Sequence, residues 1–533
     1  MPTVADVIVS RLESAGVRAL FGVPGGGGNL DLVAAAGRAS LPFVLTSTET
    51  AAAISALAQS ELTGQPGACL TTLGPGAASV VNGIACASLD RAPVVAFTDS
   101  YAGGANSPYE HQRLDHAALL RPITRGSWTI SPEHAATVMA CAIARALGPP
   151  PGPVQVECPG PVASAEARDD VTPERAPAAP VSAVVESARF EALLTRARKP
   201  LCLVGLGARR AADAAAIRSL CQTHGIPALV TYKAKGVVSD GDAWFGGIVT
   251  NGEIERPLID ASDLLIGVGF DPVELLPRPW RVTHPVVSVA PWTLDTEHVP
   301  FAAQLVGELA SGLGEVARCL APSDWREDEV ATYRETARSR VRIDAPGLTA
   351  QRVVERVAGH LAGHARVTVD AGAHMFAATS LWPVSEPNGL LISNGLSTMG
   401  FALPAAIGAA LIDARHPTVA LTGDGGLLMC AGELLTAARA ALPVITVVFA
   451  DASLSLIEIK QQARRLAPAG VALGDVNWPA IAEGFGVTAF VAHDEAALDE
   501  ALDQAIACSG PTLIEVRIDR SNYGATLRAI RGG

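Results

Sequence analysis

The run TVALTGDGG places Asp424 between glycines at the end of an apolar stretch, and a second apolar stretch, VITVVFA, ends at Asp451. Carboxylates are hard oxygen donors, and glycines beside the first let backbone amides approach an anion where the next helix begins. If the two stretches are neighbouring parallel strands, both carboxylates reach one sheet edge, the place where open α/β sheets bind ligands. The combination suits Mg²⁺ bridging to phosphate oxygens. Taken singly, each aspartate also fits a plainer reading, with Asp424 capping its helix and Asp451 opening a turn.

Such an edge has to be built by alternating strands and helices, and the chain supplies them in three blocks. Residues 1–165 alternate short apolar strands, such as Ala19–Val23 and Val94–Phe97, with alanine-rich helices, which implies a parallel sheet covered on both faces. The Ala-, Pro- and charge-rich stretch 163–182 reads as a linker. A second α/β block spans 183–345, with strands predicted at Leu201–Val204, Ala228–Thr231, Leu264–Val268 and Val286–Val289. A third occupies 346–533. RAPVVAF and ALPVITVVF each open a strand after a helix and a proline, an echo that hints at duplication between the first and third blocks.

At 533 residues the chain exceeds what one core supports. Its 49% hydrophobic content, 51 glycines and 37 prolines fit a large α/β enzyme with many tight turns. With 17% charged residues and a net charge of −13, a nucleic-acid or anionic-membrane partner is not expected. The nine cysteines are scattered without a CxxC pair, which points to reduced thiols and a cytoplasmic setting. No basic leader or cleavage site opens the sequence. The uncharged stretches Leu62–Leu89 and Gly389–Ile412 are broken by proline and glycine, and read as buried loops and helices instead of membrane spans.

Gly423-Asp424-Gly425, followed by an acidic residue after an apolar strand, resembles the signature of thiamine-diphosphate-dependent enzymes. ISNGLSTMGFALPAAIGAAL (Ile392–Leu411) is similar to the matching segment of acetolactate synthases and benzoylformate decarboxylases. FGVPGG (Phe21–Gly26), LTTLGPGAASVVNGIACASLDRAPVVAFT and LLRPITRGS resemble the pyrimidine-binding domain of the same family. The resemblance covers nearly the whole chain in order. It implies an α/β fold of three doubly wound parallel-sheet domains: pyrimidine-binding (1–165), central (183–345) and diphosphate-binding (346–533).

The resemblance also implies thiamine diphosphate and Mg²⁺ as cofactors, with the metal held by Asp424, Asp451 and the Ser453 carbonyl. The commonest family pattern has Asn where Asp451 stands; aspartate still supplies an oxygen, and it also occurs in the flavin-free catabolic acetolactate synthases. His374 would contact the diphosphate. Glu49 matches the glutamate that bonds the pyrimidine N1′ and promotes cofactor deprotonation, and its neighbours Ala51, Ala52, Ala53 and Ile54 are the uncharged surroundings a proton-shuttling acid requires. Thr46-Ser47-Thr48-Glu49 equally fits a capping box. Met399 matches the bulky residue that bends the cofactor, although methionine in an apolar run is ordinary core filler, and the Ser397 carbonyl would accept from the 4′-amino group. Pro24 and Gly25 on one block would complete the cofactor contacts. So would Gly372, Ala373, Gly423, Gly425, Gly426, Ser455 and Leu456 on the other. Family members form such sites at subunit interfaces, so a homodimer or homotetramer is implied.

For the reaction, the resemblance implies a 2-oxoacid substrate and a carbonyl acceptor. Benzoylformate decarboxylases place a histidine where this chain has Gly74, as acetolactate synthases do, and Gln112 stands at the synthases' active-site glutamine, with His111 just before it as an available proton donor. Lys460 occupies the place of a tryptophan in anabolic synthases. GVGFDPVELLPRPW (Gly267–Trp280) replaces the Arg-Phe-Asp-Asp-Arg-like run of flavin-binding members, so FAD is not expected, and VGLGA (Val204–Ala208) is a lone glycine turn. Gly25 to Gly28 suggest a roomy site or backbone donors for an oxyanion. The leading expectation is decarboxylation of a 2-oxoacid followed by carboligation to a hydroxyketone. A simple 2-oxoacid decarboxylase and a 2-hydroxyacyl-CoA lyase are the alternatives within the family. A homologue that binds the cofactor without turnover fits poorly with retention of Glu49, Asp424 and Met399.

Overall fold

The computed structural model describes residues 2–101, 108–168, 183–185, 187–361 and 364–532. Three sheets organise them. The first is built from β1 (Leu20–Val23), β2 (Phe43–Leu45), β3 (Gly67–Thr71), β4 (Val94–Ser100), β5 (Ser127–Thr129) and β6 (Val154–Pro159). Its strands are all parallel, in the order β2-β1-β3-β4-β6-β5. The second has seven strands: β7 (Ala183–Val185), β8 (Pro200–Val204), β9 (Ala228–Val230), β10 (Phe245–Ile248), β11 (Leu264–Val268), β12 (Val286–Ala290) and β13 (Phe301–Val306). It is parallel except for β7, which pairs antiparallel with β13 at one edge.

The third sheet comprises β14 (Arg366–Val369), β15 (Leu390–Ile392), β16 (Thr418–Gly423), β17 (Val444–Ala450), β18 (Thr488–Ala492) and β19 (Thr512–Arg517). Its order, β15-β14-β16-β17-β19-β18, repeats the first sheet strand for strand, again all parallel. The echo between RAPVVAF and ALPVITVVF is therefore topological: β4 and β17 hold the same place in the two sheets. The α/β expectation with three sheet domains holds, qualified by the one antiparallel edge strand.

The two uncharged stretches are buried only in part, and each also contains a strand. Leu62–Leu89 includes β3, every residue of which is buried, and Gly389–Ile412 includes β15. The helix Glu49–Thr63 begins where the Thr48 hydroxyl accepts the Ala51 amide and ends at Gly64, whose φ of +67° closes the turn. Helix Ala402–Ile412 is apolar on all sides and correspondingly buried. These two helices join the first and third units: Ala52, Ala56, Phe401, Ala405 and Ala409 share one core, and the Ser55 hydroxyl donates to the Pro404 carbonyl at 2.8 Å. Residues beyond β6 turn back onto the N-terminus, where Val4 N–H donates to the Ala165 carbonyl and Ala167 N–H to that of Pro2. Among the described residues no helix is long and apolar enough to cross a membrane.

Candidate active site

Gly423 on β16 pairs in register with Phe449 on β17, so the chain leaves both strands at one level and the two aspartates follow side by side. Asp424 opens the helix Asp424–Cys430 and is buried. Its Oδ1 accepts the Gly425 amide at 2.7 Å, while Oδ2 accepts the amides of Asp451 at 3.1 Å and Ala452 at 2.7 Å. Asp451 Oδ1 accepts the Ser453 amide at 3.1 Å and Oδ2 the Ser455 hydroxyl at 2.6 Å. Burial pushes the Asp424 carboxyl up, and burial aided by the Asp424 charge pushes Asp451 up to about 6. A cation between them would relieve that repulsion. Asp451 does open its turn, as the plainer reading has it, but Asp424 does more than stand at its helix: it also binds the backbone of that turn. Among the described residues no three His, Cys, Asp or Glu side chains cluster as a metal cage. Side chains alone therefore leave a hard cation at this turn room for carbonyl, water or phosphate oxygens.

The turn beyond Asp451 is held open by strain. Ala452 has φ +56°, and bonds from Leu473 N–H to the Ala452 carbonyl and from Leu454 N–H to the Val471 carbonyl fix it on both sides of Ser453. Ser397 and Gln112 adopt φ +53° and +55°. Each such backbone costs roughly 1–2 kcal/mol, and all three fall in the stretches the sequence singled out. The Ser453 hydroxyl donates to Glu458 at 2.8 Å, and Arg520 holds that carboxylate at 2.6 Å.

Met399 reaches this turn from its own loop. A side chain on Gly425 would stand 2.7 Å from Leu454 Cδ2 and 3.3 Å from Met399 Cε, so both side chains pack over this glycine. His374 is buried, stacks on Phe449 with ring centroids 4.9 Å apart, and is pushed down to about 4 by burial, which keeps it neutral. Its Nε2 is buried without a hydrogen-bond partner. Ser397 is exposed and Met399 half-buried.

Glu49 lies elsewhere in the chain, half-buried at the first position of its helix, with Oε1 beside Gly76. Thr48 caps that helix, and the Thr46 hydroxyl donates to the Thr48 carbonyl, so Glu49 is not occupied by a capping box. Gly74 has φ +62°, and a side chain there would stand 2.6 Å from the Gln112 carbonyl oxygen. The loop bearing exposed His111 and Gln112 therefore rests on Gly74. Asp99 is buried at the end of β4, and its carboxyl is pushed up by burial against the pull of the Ser100, Gly28, Asn29 and Gly27 amides. Gly25 N–H donates to Asn29 Oδ1 at 3.0 Å.

Four buried residues that sequence reasoning passed over organise these pieces. Asp370, following β14, accepts Gly400 N–H at 2.9 Å, Ala371 N–H at 2.8 Å and the Thr422 hydroxyl at 2.9 Å, and burial pushes it up to about 6. It ties the Met399–Gly400 loop to β16. Glu433 accepts Ser47 N–H at 3.0 Å, Thr48 N–H at 3.1 Å and the Thr436 hydroxyl at 2.8 Å, anchoring the start of the Glu49 helix to the third unit. His116 Nε2 accepts Gly74 N–H at 3.1 Å. Glu274 Oε2 accepts Leu206 N–H at 2.8 Å inside the glycine turn after β8, and Leu206 packs with Trp292. The one available signal was an acidic residue at a strand end, as in VTVDAG for Asp370; the others bond partners far away in sequence.

Family models match all three units: the N-terminal TPP binding domain of thiamine pyrophosphate enzymes at residues 2–119, the central domain at 188–314, and the C-terminal TPP binding domain at 370–516. A catabolic acetolactate synthase of Raoultella terrigena is 30% identical over 97% of this chain and 95% of its own. The acetolactate synthase of Bacillus subtilis (strain 168) is 28% identical over 97% and 93%. The acetolactate synthase isozyme 1 large subunit of Escherichia coli (strain K12) is 28% identical over 97% and 94%. With its twin parallel sheets, its glycine-flanked aspartate turn and this similarity along almost its whole length, the chain belongs to the thiamine pyrophosphate enzyme family and is a thiamine-diphosphate-dependent carboligase or decarboxylase.

Proposed function

We propose that this enzyme is an acetolactate-synthase-like carboligase, which decarboxylates a 2-oxoacid and joins the remaining acyl unit to a carbonyl acceptor, giving a hydroxyketone. The observation that carries the cofactor reading is the register-matched pair Asp424 and Asp451 with Met399 packed over Gly425. That donor set fits Mg²⁺ and a diphosphate: two carboxylates share one turn, their charges unfavourable until a cation joins them, with Ser453 between them and Ser455. Asp424, Asp451 and the Ser453 carbonyl hold the metal. Gly423, Gly425, Gly426, Ser455, Leu456, Gly372, Ala373 and His374 surround the diphosphate, with the Nε2 of neutral His374 left unpartnered.

Bound thiamine diphosphate supplies a nucleophilic carbon and an electron sink for cleavage beside the substrate carbonyl. The chain's residues orient it and manage protons. Glu49, with Pro24 and Gly25 nearby in the same domain, exchanges a proton with the pyrimidine ring, and the Ser397 carbonyl and Met399 fix the ring's attitude. Gly74 itself places no histidine side chain over the reacting carbon, which favours carbonyl addition over immediate protonation. Gln112 and His111 border that space.

Flavin is not required. Support comes from the glycine turn after β8, where Glu274 takes the Leu206 amide that a phosphate would need and Trp292 packs beside it. A homodimer or homotetramer completes the site. Leu428 and Met429, on the helix that Asp424 opens, are 45% and 59% exposed, an apolar surface that a second copy would cover. Purified protein given pyruvate should consume it only when both thiamine diphosphate and Mg²⁺ are present. Glu49→Gln should still bind the cofactor but turn over 10²–10⁴-fold more slowly, roughly the value of general acid–base assistance. Full activity of that variant, or turnover without added thiamine diphosphate in cofactor-stripped protein, would overturn the assignment.

A further inference from the structure

The segment Ile392–Met399 hangs from the other two domains. Lys233, after β9 in the central domain, is 2% exposed. Its Nζ donates to the Ile392 carbonyl at 2.8 Å and pairs with Glu61 at 2.7 Å and Asp90 at 3.1 Å, both carboxylates belonging to the first domain. Asp90 uses its other oxygen to accept Gly395 N–H at 2.9 Å. Arg209 pairs with Glu61 at 2.9 Å, so two cations face two carboxylates. Further along, Asn394 Nδ2 donates to the Glu274 carbonyl at 3.2 Å and Asn82 Nδ2 to the Thr398 hydroxyl at 2.9 Å. Burial opposes the lysine charge, but Asp90 and Glu61 hold it above the usual lysine range.

A buried ion cluster of this kind contributes little net stability compared with apolar residues of similar size. What it provides is direction. The lysine grips a carbonyl at one end of the segment and the aspartate grips an amide three residues on, so the backbone between them has one path. That path leads straight into Ser397, whose left-handed φ of +53° needs external support.

We propose that Lys233, acting with Asp90, is a positioning residue for the Ile392–Met399 segment, and through it sets the Ser397 carbonyl and Met399 against the cofactor. The proposal rests on the cofactor reading above. It gives the central domain a part in cofactor geometry without contact to the cofactor.

Lys233→Met alone leaves the buried Asp90 without its cation, while Glu61 keeps Arg209, and can unfold the protein. The pair Lys233→Met with Asp90→Asn keeps an oxygen for Gly395 N–H and leaves the Arg209–Glu61 pair intact. In this charge-balanced variant, hydrogen exchange should accelerate about tenfold or more at amides 393–400 in protein without cofactor, with other core segments unchanged. Thiamine diphosphate affinity measured by calorimetry with Mg²⁺ should fall roughly tenfold, the scale of one charge-assisted hydrogen bond. A folded double variant with unaltered exchange and affinity would overturn the positioning role while leaving the cofactor reading intact. Failure of the unaltered protein to bind thiamine diphosphate would overturn that reading, and the role with it.

Discussion

Replacing Glu433 by alanine would remove the acceptor that holds the two amides preceding the Glu49 helix. The carboxylate is 1% exposed and accepts Ser47 N–H, Thr48 N–H and the Thr436 hydroxyl at 2.8–3.1 Å. Hydrogen bonds to a charged group are worth roughly 1.5–3 kcal/mol each, but burial already penalises this carboxylate and the bonds are not additive. A net local loss of about 3 kcal/mol follows, equivalent to ~10²-fold more frequent opening of that turn. Hydrogen exchange by mass spectrometry on a peptide spanning residues 44–50 reads it directly. Glu433→Gln keeps one carbonyl oxygen for the amides and turns its NH₂ toward the Thr436 hydroxyl, so its exchange should rise less than tenfold. Because the anchored turn leads into Glu49, the alanine variant should also lose turnover more than cofactor affinity. Exchange and turnover both unchanged in Glu433→Ala would refute the anchoring role.

Asp424→Ala should abolish Mg²⁺-dependent thiamine diphosphate binding in calorimetry, whereas Asp451→Asn, which keeps an oxygen, should bind within about tenfold of the unaltered protein. Co-expression of Glu49→Gln and Asp424→Ala subunits should restore some activity in isolated mixed dimers, since one of the two shared sites then carries neither lesion; a proven heterodimer without activity would count against sharing. Burial pushes Glu274 up to about 7, against a usual 4.5. A raised acid stabilises the fold fully below its unfolded value, and that contribution is lost as pH rises from 4.5 to 7, by up to about 3 kcal/mol. Glu274→Gln removes this dependence, so denaturation midpoints of the variant should gain on the unaltered protein between pH 5 and 8, and an invariant gap would contradict it. Gly425→Val should collide with Leu454 and Met399 and destroy cofactor binding while circular dichroism stays α/β.

The parts of this fold legible in sequence were those with local signals. Asp424 and Asp451 each end an apolar run, so their meeting needed only that β16 and β17 be neighbours, and the register of Gly423 with Phe449 supplied the rest. The strands that escaped notice include Phe43–Leu45, Ser127–Thr129, Ala183–Val185 and Leu390–Ile392, all three residues long and all at sheet edges, too short for any periodicity to register. The buried polar anchors were illegible for another reason. Glu433 finds its partners at Ser47, and Lys233 at Asp90 and Ile392, so only the assembled domains bring them together. The glycine run Gly25–Gly28 shows the same limit: a side chain on Gly27 would run into Asp99, a neighbour far along the chain.

The central claim concerns what the enzyme makes. Carbon-13 NMR of the products formed from labelled pyruvate, with thiamine diphosphate and Mg²⁺ and without added flavin, tests it most directly. Carboligation predicts label in a branched hydroxyketone acid joining two pyruvate-derived units, or in a mixed hydroxyketone when an aldehyde acceptor is supplied. Release of acetaldehyde alone, with or without the acceptor, would contradict it.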